Sequence, residues 1–415
     1  LREKVATLGE FEFCESKWAT FDEWLKSPAV SFPRALPILM AITSALLAGL
    51  ILAAFAGVGW TKVAIWIWLL IGIDAMIGAY FRKRTSKMLA EVRPLSTEIQ
   101  VLREGLSLLE SEQFQSVKLR QLVNRTQRAS SSLKKLERLL NAIHQRDKEW
   151  FFIPSRVLLV GTQLCAAIGQ WRGEHGEALR VWIAAWAEFE ALNALAAYSY
   201  ENPENAFPEL SDGEARFEAR GLAHPLLPGA SSVVNDLTLN REAPFYIVSG
   251  SNMSGKSTLL RAIGMNAVLA YAGAPVRAST LRLSGLSIFA SLSLVDSLLN
   301  GRSKFLVEVD RLKQAIESAV ENRSVLFLID EILSGTNSRD RRIAAEAVVR
   351  TLVDRGGIGA LSTHDLALTE IAGGTNVHMG SRHETDPLDF DYILKPGVTR
   401  EANALAIARM AGVPV

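Results

Sequence analysis

Phe245 to Ser257 reads FYIVSGSNMSGKS. A short apolar strand, Phe245 to Ser249, runs straight into Gly250 to Ser257, which fits G-x-x-x-x-G-K-[ST] at every defined position. Ser257 to Ala272 (STLLRAIGMNAVLAYA) then reads as a helix. Strand, glycine-rich loop and helix in this order suit phosphate capture: glycines let backbone N–H groups turn inward around phosphate oxygens, and the helix N-terminus adds its dipole. Lys256 supplies a mobile positive charge, and Ser257 a hydroxyl that can ligate Mg2+. A purely structural loop is the competing reading, and the strand before and helix after it count against that.

Val325 to Glu331 (VLFLIDE) is an apolar run compatible with a buried parallel strand, and it ends in two adjacent acids. Asp330 at the strand's end can hold Mg2+, while Glu331 can orient or deprotonate an attacking water. Without a metal, two carboxylates capping a buried strand would repel each other. A further apolar strand, Ile358 to Leu361, leads into Ser362, Thr363 and His364. There a histidine can contact the γ-phosphate or the water that attacks it. A lone histidine after a strand is ordinarily structural; the other two motifs are what favour a role. His378 and His383 are not spaced as a metal pair.

Outward from these motifs, the 415 residues suggest two or three domains. Lys+Arg is 45 against Asp+Glu 44, so the net charge of +1 supplies no global field for nucleic acid, and contact with it would need a local patch. Apolar residues make up 49%, charged ones 21%, and the mean hydropathy is +0.15, values that disfavour disorder and raise the question of lipid contact. Cys14 and Cys165 lie far apart with no C-x-x-C partner, so neither a disulfide framework nor a zinc knuckle is indicated, and a reducing compartment is the default. The chain opens on Leu1 rather than Met, and flanking residues beyond it are expected.

The apolar excess is concentrated. Ile38 to Trp60 holds about 23 residues without a charge, which meets the roughly 20 residues that cross a hydrocarbon core, and Val63 to Phe81 is nearly as long and interrupted only by Asp74. Lys26 and Arg34 precede the pair, Arg82, Lys83, Arg84 and Lys87 follow it, and the turn between holds only Lys62. By the positive-inside rule both ends face the cytoplasm. A buried hairpin in a soluble core is the alternative, and Asp74 is assigned no role. From about Thr85 to Tyr200 apolar residues recur at threes and fours, as in Leu133, Leu136, Leu139 and Leu140, predicting a long amphipathic helix or helical pair. Between Lys118 and Lys148 this region is rich in Lys and Arg, read either as a solvated face near anionic lipid or as a phosphate-contacting stripe. ENPENAFP, Glu201 to Pro208, marks a boundary. The expected domains are an N-terminal segment 1–34, a transmembrane hairpin 35–84, a helical domain 85–205 and a terminal α/β domain 206–415.

GSNMSGKSTLLRAIGMNAVLAYAGAPVRA, GRSKFLVEVDRLKQAI, DEILSGTNSRD, LSTHDLALTEI and the closing ALAIARMAGVPV together resemble the ATPase domain of the MutS-type mismatch-repair family. The likeness covers roughly Glu209 to Val415, with AHPLL (Ala223–Leu227) and VVND (Val233–Asp236) resembling the family's entry segment and the preceding helices resembling its lever. It implies an α/β P-loop NTPase fold of the ABC/MutS type, with ATP and Mg2+ as ligands. Gly250, Ser251, Asn252, Met253, Ser254, Gly255, Lys256, Ser257 and Thr258 would hold nucleotide, Ser257 and Asp330 the metal, and Lys256, Glu331 and His364 would serve catalysis. It further implies a homodimer with composite sites, in which Ser303 of one chain reaches the nucleotide of its neighbour. Ser251 stands where the family usually has Pro, and Leu333-Ser334 where mismatch-repair members generally carry Gly-Arg. The apolar hairpin is foreign to the soluble repair proteins.

The expected protein is therefore a membrane-anchored, MutS-like ATPase of the cytoplasmic membrane, multi-pass, with the ATPase facing the cytoplasm, lipid in contact with the hairpin and DNA open as a partner. Two rivals stay open. One is an ABC-type, transport-associated ATPase, although the chain has no LSGGQ run; the other is a nucleotide-dependent membrane scaffold with negligible turnover.

Overall fold

The computed structural model describes residues 23–27, 32–33, 35–146, 155, 158–292, 304–319, 324–334, 336–383 and 386–399. The chain divides into two compact units, Leu1–Ala194 and Leu195–Val415.

The first unit is helical. Helix α1 (Leu36–Ala53) continues through a π-helical turn, Ala54–Val58, and α2 (Trp60–Val92) follows after Gly59. The break falls at Gly59, at φ +87°, and not at the expected Thr61–Lys62 turn, because glycine enters that left-handed conformation without a Cβ clash. Leu36–Ala56 and Trp60–Ser111 are each long and apolar enough to cross a membrane by length and composition, and only 22% and 11% of their most apolar windows are buried. Ile65, Trp66 and Trp68 are all exposed. Asp74 is buried and accepts a 2.9 Å hydrogen bond from the Thr43 hydroxyl across the hairpin.

Among the described residues, the region expected as one long helix or a pair holds α3 (Ser96–Ser111), α4 (Val117–Arg125), α5 (Ala129–Arg146) and α6 (Val160–Glu201). Their apolar stripes meet in one core, where Leu106, Leu122, Leu133, Leu136 and Leu140 are almost fully buried around Trp186. Gly105 lets α3 approach Trp186, whose ring a methyl there would strike at 2.5 Å. In the basic stretch, Lys118 and Arg125 both pair with Glu188 of α6, so part of its charge is neutralised within the unit.

The second unit is mixed α/β. Strands β1 (Glu209–Ser211), β2 (Phe217–Leu222), β3 (Asn235–Leu239) and β5 (Thr280–Ser284) form a sheet in the order β1-β5-β2-β3. The larger sheet joins β4 (Phe245–Gly250), β6 (Ser287–Ser291), β7 (Val325–Asp330), β8 (Ile358–Thr363), β9 (Gly374–Met379) and β12 (Lys395–Pro396) in the order β12-β9-β4-β8-β7-β6. All of its pairs are parallel except β12 with β9. Strands β10 (Ser381–His383) and β11 (Asp386–Phe390) make a separate antiparallel pair. Among the described residues the unit also holds helices α7 (Lys256–Ala272), α8 (Lys304–Ser318) and α9 (Ser338–Asp354).

Both faces of the parallel sheet are covered, which is why its central strands read as continuous apolar runs and not as alternation. Ile247, Val248, Phe327, Leu328, Ile329, Ala360 and Leu361 are all solvent-free. One core packs around α7, the other against α8 and α9.

Candidate functional site at the strand ends

Three neighbouring parallel strands place the sequence motifs at one edge. Ser249 of β4 registers with Thr363 of β8, and Asp330 of β7 with Ser362 of β8, so the glycine-rich loop, the acidic pair and His364 all leave the sheet at its carboxyl end. In an open parallel sheet this edge is where ligands bind.

The loop from Gly250 to Gly255 joins β4 to α7 with little freedom for larger residues. At Gly250 a Cβ would lie 2.5 Å from the Met379 carbonyl, and Gly255, at φ +101°, would push one 3.0 Å from the Tyr392 ring. Met253 takes φ +69° without being glycine and is exposed at the tip. Strain of this kind persists where surrounding structure enforces it, and it gathers at ligand clamps. Lys256, buried at the start of α7, donates to the carbonyls of Gly250 at 2.9 Å and Ser251 at 2.7 Å. Burial holds its ammonium pKa below the ordinary lysine range, while the charges of Glu331 and Asp330 pull the other way. Asn252 and Thr258 are exposed on the loop and first helical turn, and Ser257 is half-buried between them.

The Ser362 hydroxyl donates to Asp330 Oδ1, fixing one carboxylate oxygen. Glu331 leaves the strand at φ +53°, which re-aims its side chain, and its N–H bonds the Ser362 carbonyl at 3.1 Å. Nδ1 of His364 lies 3.1 Å from Glu331 Oε1. A carboxylate only accepts, so Nδ1 is the donor in this contact.

The turn after β7 is clamped from two sides. Glu308 of α8 is buried and accepts the Leu333 N–H at 2.6 Å, with Leu333 itself at φ +51°. From the other side Arg341 of α9 donates to the carbonyls of Leu333 at 3.1 Å and Ser334 at 3.0 Å. Glu308 had a legible signal: it shares the α8 stripe with Leu312 and Ala315, both buried, so an acid stands on an apolar face.

Beside the loop opens a cavity of about 380 Å3, bounded by His224, Leu227, Val233, Gly255, Thr258 and Tyr392. Asn235 ties its walls together, donating to the Tyr392 carbonyl at 3.0 Å and accepting the Leu394 N–H at 2.7 Å, with Tyr392 held at φ +57°. Desolvation, then the charge of Arg261, hold His224 below the usual imidazole pKa. No sequence signal joins Tyr392 to Asn235, which lie 157 residues apart.

Among the expected residues, Gly250 to Thr258, Asp330, Glu331 and His364 therefore share one edge. Ser303, and the closing ALAIARMAGVPV, lie outside the described residues. Among the described residues no three His, Cys, Asp or Glu side chains converge as a metal cage. The donors present, one carboxylate and one hydroxyl beside a phosphate-sized loop, suit a cation that takes its remaining ligands from substrate and water.

Residues 246–415 match the family model of MutS domain V. DNA mismatch repair protein MutS of Lactobacillus delbrueckii subsp. bulgaricus is 30% identical over 239 residues, covering 55% of this chain and 28% of that protein. Its counterpart from Natronomonas pharaonis is 32% identical over 242 residues, covering 55% and 27%, and that of Lactobacillus johnsonii 32% over 202, covering 46% and 23%. The chain thus spans about a quarter of the length of the curated relatives it matches. The glycine-rich loop, the acidic pair and His364 all fall within the matched segment, and residues 246–415 of this chain are similar to MutS domain V.

Proposed function

We propose that the chain is a membrane-anchored, MutS-like P-loop ATPase that converts ATP and water to ADP and phosphate and uses the cycle to drive a conformational change. The observation that carries this reading is the convergence of the glycine-rich loop, Asp330, Glu331 and His364 on the ends of β4, β8 and β7. The backbone N–H groups of Gly250 to Thr258 cradle the phosphates, and the 380 Å3 cavity beside Gly255 takes the base and sugar. Lys256 exchanges its carbonyl partners for phosphate oxygens. Ser257 and Asp330 would hold Mg2+, which when bound neutralises charge on the phosphates.

Glu331 orients the attacking water and accepts its proton, while the Nδ1–H of His364 holds that carboxylate in place. The left-handed turn at Glu331 and Leu333, secured by Glu308 and Arg341, keeps the acid aimed at the loop. The match to MutS domain V favours this enzyme over a transport-associated ATPase. The named relatives are mismatch-repair proteins; whether DNA is this chain's ligand is read from salt-dependent binding to duplex and mismatched DNA, compared with a chain neutralised in the basic stretch.

The active form in this reading is a homodimer whose closure brings Ser303 of one protomer to the γ-phosphate held by the other, and the following experiment tests it. Ser303→Ala and Lys256→Ala chains, each nearly inactive alone, are co-assembled and phosphate release is measured. In a heterodimer one composite site keeps both groups, so a random mixture regains up to about a quarter of wild-type turnover. No recovery in demonstrated heterodimers overturns the shared site. Near-normal turnover of Ser303→Ala alone, with about 1 kcal/mol of lost stability, would mark Ser303 as a helix cap.

A further inference from the structure

Along one face of α2 a groove runs from inside the apolar run to beyond its end. Ala75, Gly78 and Ala79 line it before Phe81; Arg82, Thr85 and Ser86 continue it on the same face, at spacings of three and four. The opposite wall comes from Arg146 at the end of α5 and from Leu159, Gly161 and Thr162 at the start of α6. The enclosed volume is about 560 Å3. From Ala75 to Ser86 the helix rises about 16 Å, enough for a phosphate, a glycerol and the first acyl carbons.

The two ends differ in chemistry. At the apolar end, Leu159 packs so closely on Gly78 that a Cβ there would lie 2.7 Å from its Cδ2. At the other end Arg82 is exposed, Arg146 lies against Gly161, and the hydroxyls of Thr85 and Thr162 stand 3.5 Å apart. Among the described residues no carboxylate lines the groove. Two guanidinium groups beside hydroxyl donors match a phosphodiester, which guanidinium binds in a bidentate fork. The change from apolar to cationic falls at Phe81–Arg82, where the uncharged run ends and the headgroup layer would begin.

We propose that this groove binds one anionic phospholipid, its phosphate between Arg82 and Arg146 and its glycerol end against Ala75, Gly78 and Ala79. The proposal rests on the membrane placement of α1 and α2.

The test uses the full chain purified in mild detergent and exchanged into micelles carrying equal dioleoyl phosphatidylglycerol and dioleoyl phosphatidylcholine, with retained lipid counted by native mass spectrometry. Wild-type protein is expected to retain the anionic lipid over the zwitterionic one by about tenfold, and Arg82→Gln with Arg146→Gln to lose that preference. The single Arg82→Gln, at an exposed position that leaves folding intact, is expected to lose most of it. Equal retention of both lipids by the wild type, or unchanged preference in both variants, overturns the site. Displacement of the lipid by millimolar inorganic phosphate would make the groove a soluble-anion site and overturn the assignment to lipid. Alkaline carbonate extraction of the same proteins separates the two readings. Loss of lipid preference from protein that stays in the pellet tests the groove alone, whereas release of wild-type chain to the supernatant overturns the membrane placement and the lipid site with it.

Discussion

Glu331→Gln is expected to keep ATP on the protein and to lower steady-state phosphate release by about a hundredfold or more. The amide preserves the size and shape of the side chain, so the left-handed turn at φ +53° and the clamp by Glu308 and Arg341 stay in place. What is lost is the ability to accept a proton from water and to take the Nδ1–H of His364 as a charged acceptor. The glycine-rich loop and Lys256 are untouched, so affinity for ATP should change little. The contrast between retained binding and lost turnover identifies a group acting on the water, and no folding defect produces it. Turnover equal to wild type would remove Glu331 from the mechanism and leave the scaffold or a different water-positioning group to account for the site.

The second large effect is physical partition. The full chain is expected to stay in the pellet after alkaline carbonate washing without detergent, and Thr61→Cys is expected to be labelled from the outer side of intact cells. The motive is the number of large apolar side chains that α1 and α2 leave outside the protein core, including Ile38, Leu52, Ile65 and Trp68. At about 1.5–3 kcal/mol each, roughly ten side chains of this size in water forgo on the order of 15–30 kcal/mol relative to burial, more than the net stability of a domain allows. The flanking Lys26, Arg82, Lys83, Arg84 and Lys87 set the orientation, with the Gly59 break on the far side. Labelling is read in a Cys14→Ser chain. Cys165 does not compete, because its thiol is buried and pushed up to about 12 by desolvation, so little thiolate is available. Quantitative release into carbonate would contradict the membrane placement.

How much was legible in the sequence differs between the two units for a physical reason. In the α/β unit the phosphate-loop pattern requires particular residues at fixed spacing, so β4, the loop and α7 are legible from Phe245 to Ala272 in the sequence alone. The strands ending at Asp330 and before His364 were equally plain, being apolar runs buried on both faces. That β8 lies between β4 and β7, and so brings His364 against Glu331, is a matter of long-range pairing that no local pattern encodes. The sheet β1-β5-β2-β3 has no comparable signature, because its strands are short and half-buried, with Asn235, Leu237 and Leu239 facing in and their neighbours out. In the helical unit the periodicity at Leu133, Leu136 and Leu140 was correct, but it cannot count helices. The breaks after Ser111 and Arg125 carry neither proline nor glycine, so no local breaker marks them in the sequence. A clamp residue such as Asn235 acts through backbone atoms of a distant segment and leaves only a polar letter in the sequence.

Equilibrium binding of MgATP to the purified intact chain, wild type beside Lys256→Ala, tests most directly the claim that the loop at Gly250–Thr258 holds nucleotide. The lysine is a buried cation at that loop, and removing a buried charged partner of a phosphate costs binding at least about thirtyfold. A saturable wild-type isotherm that Lys256→Ala weakens by that factor or more, with the two proteins melting within a few degrees of each other, is the predicted result. Equal affinity in both chains, or no saturable binding by the wild type, would contradict it.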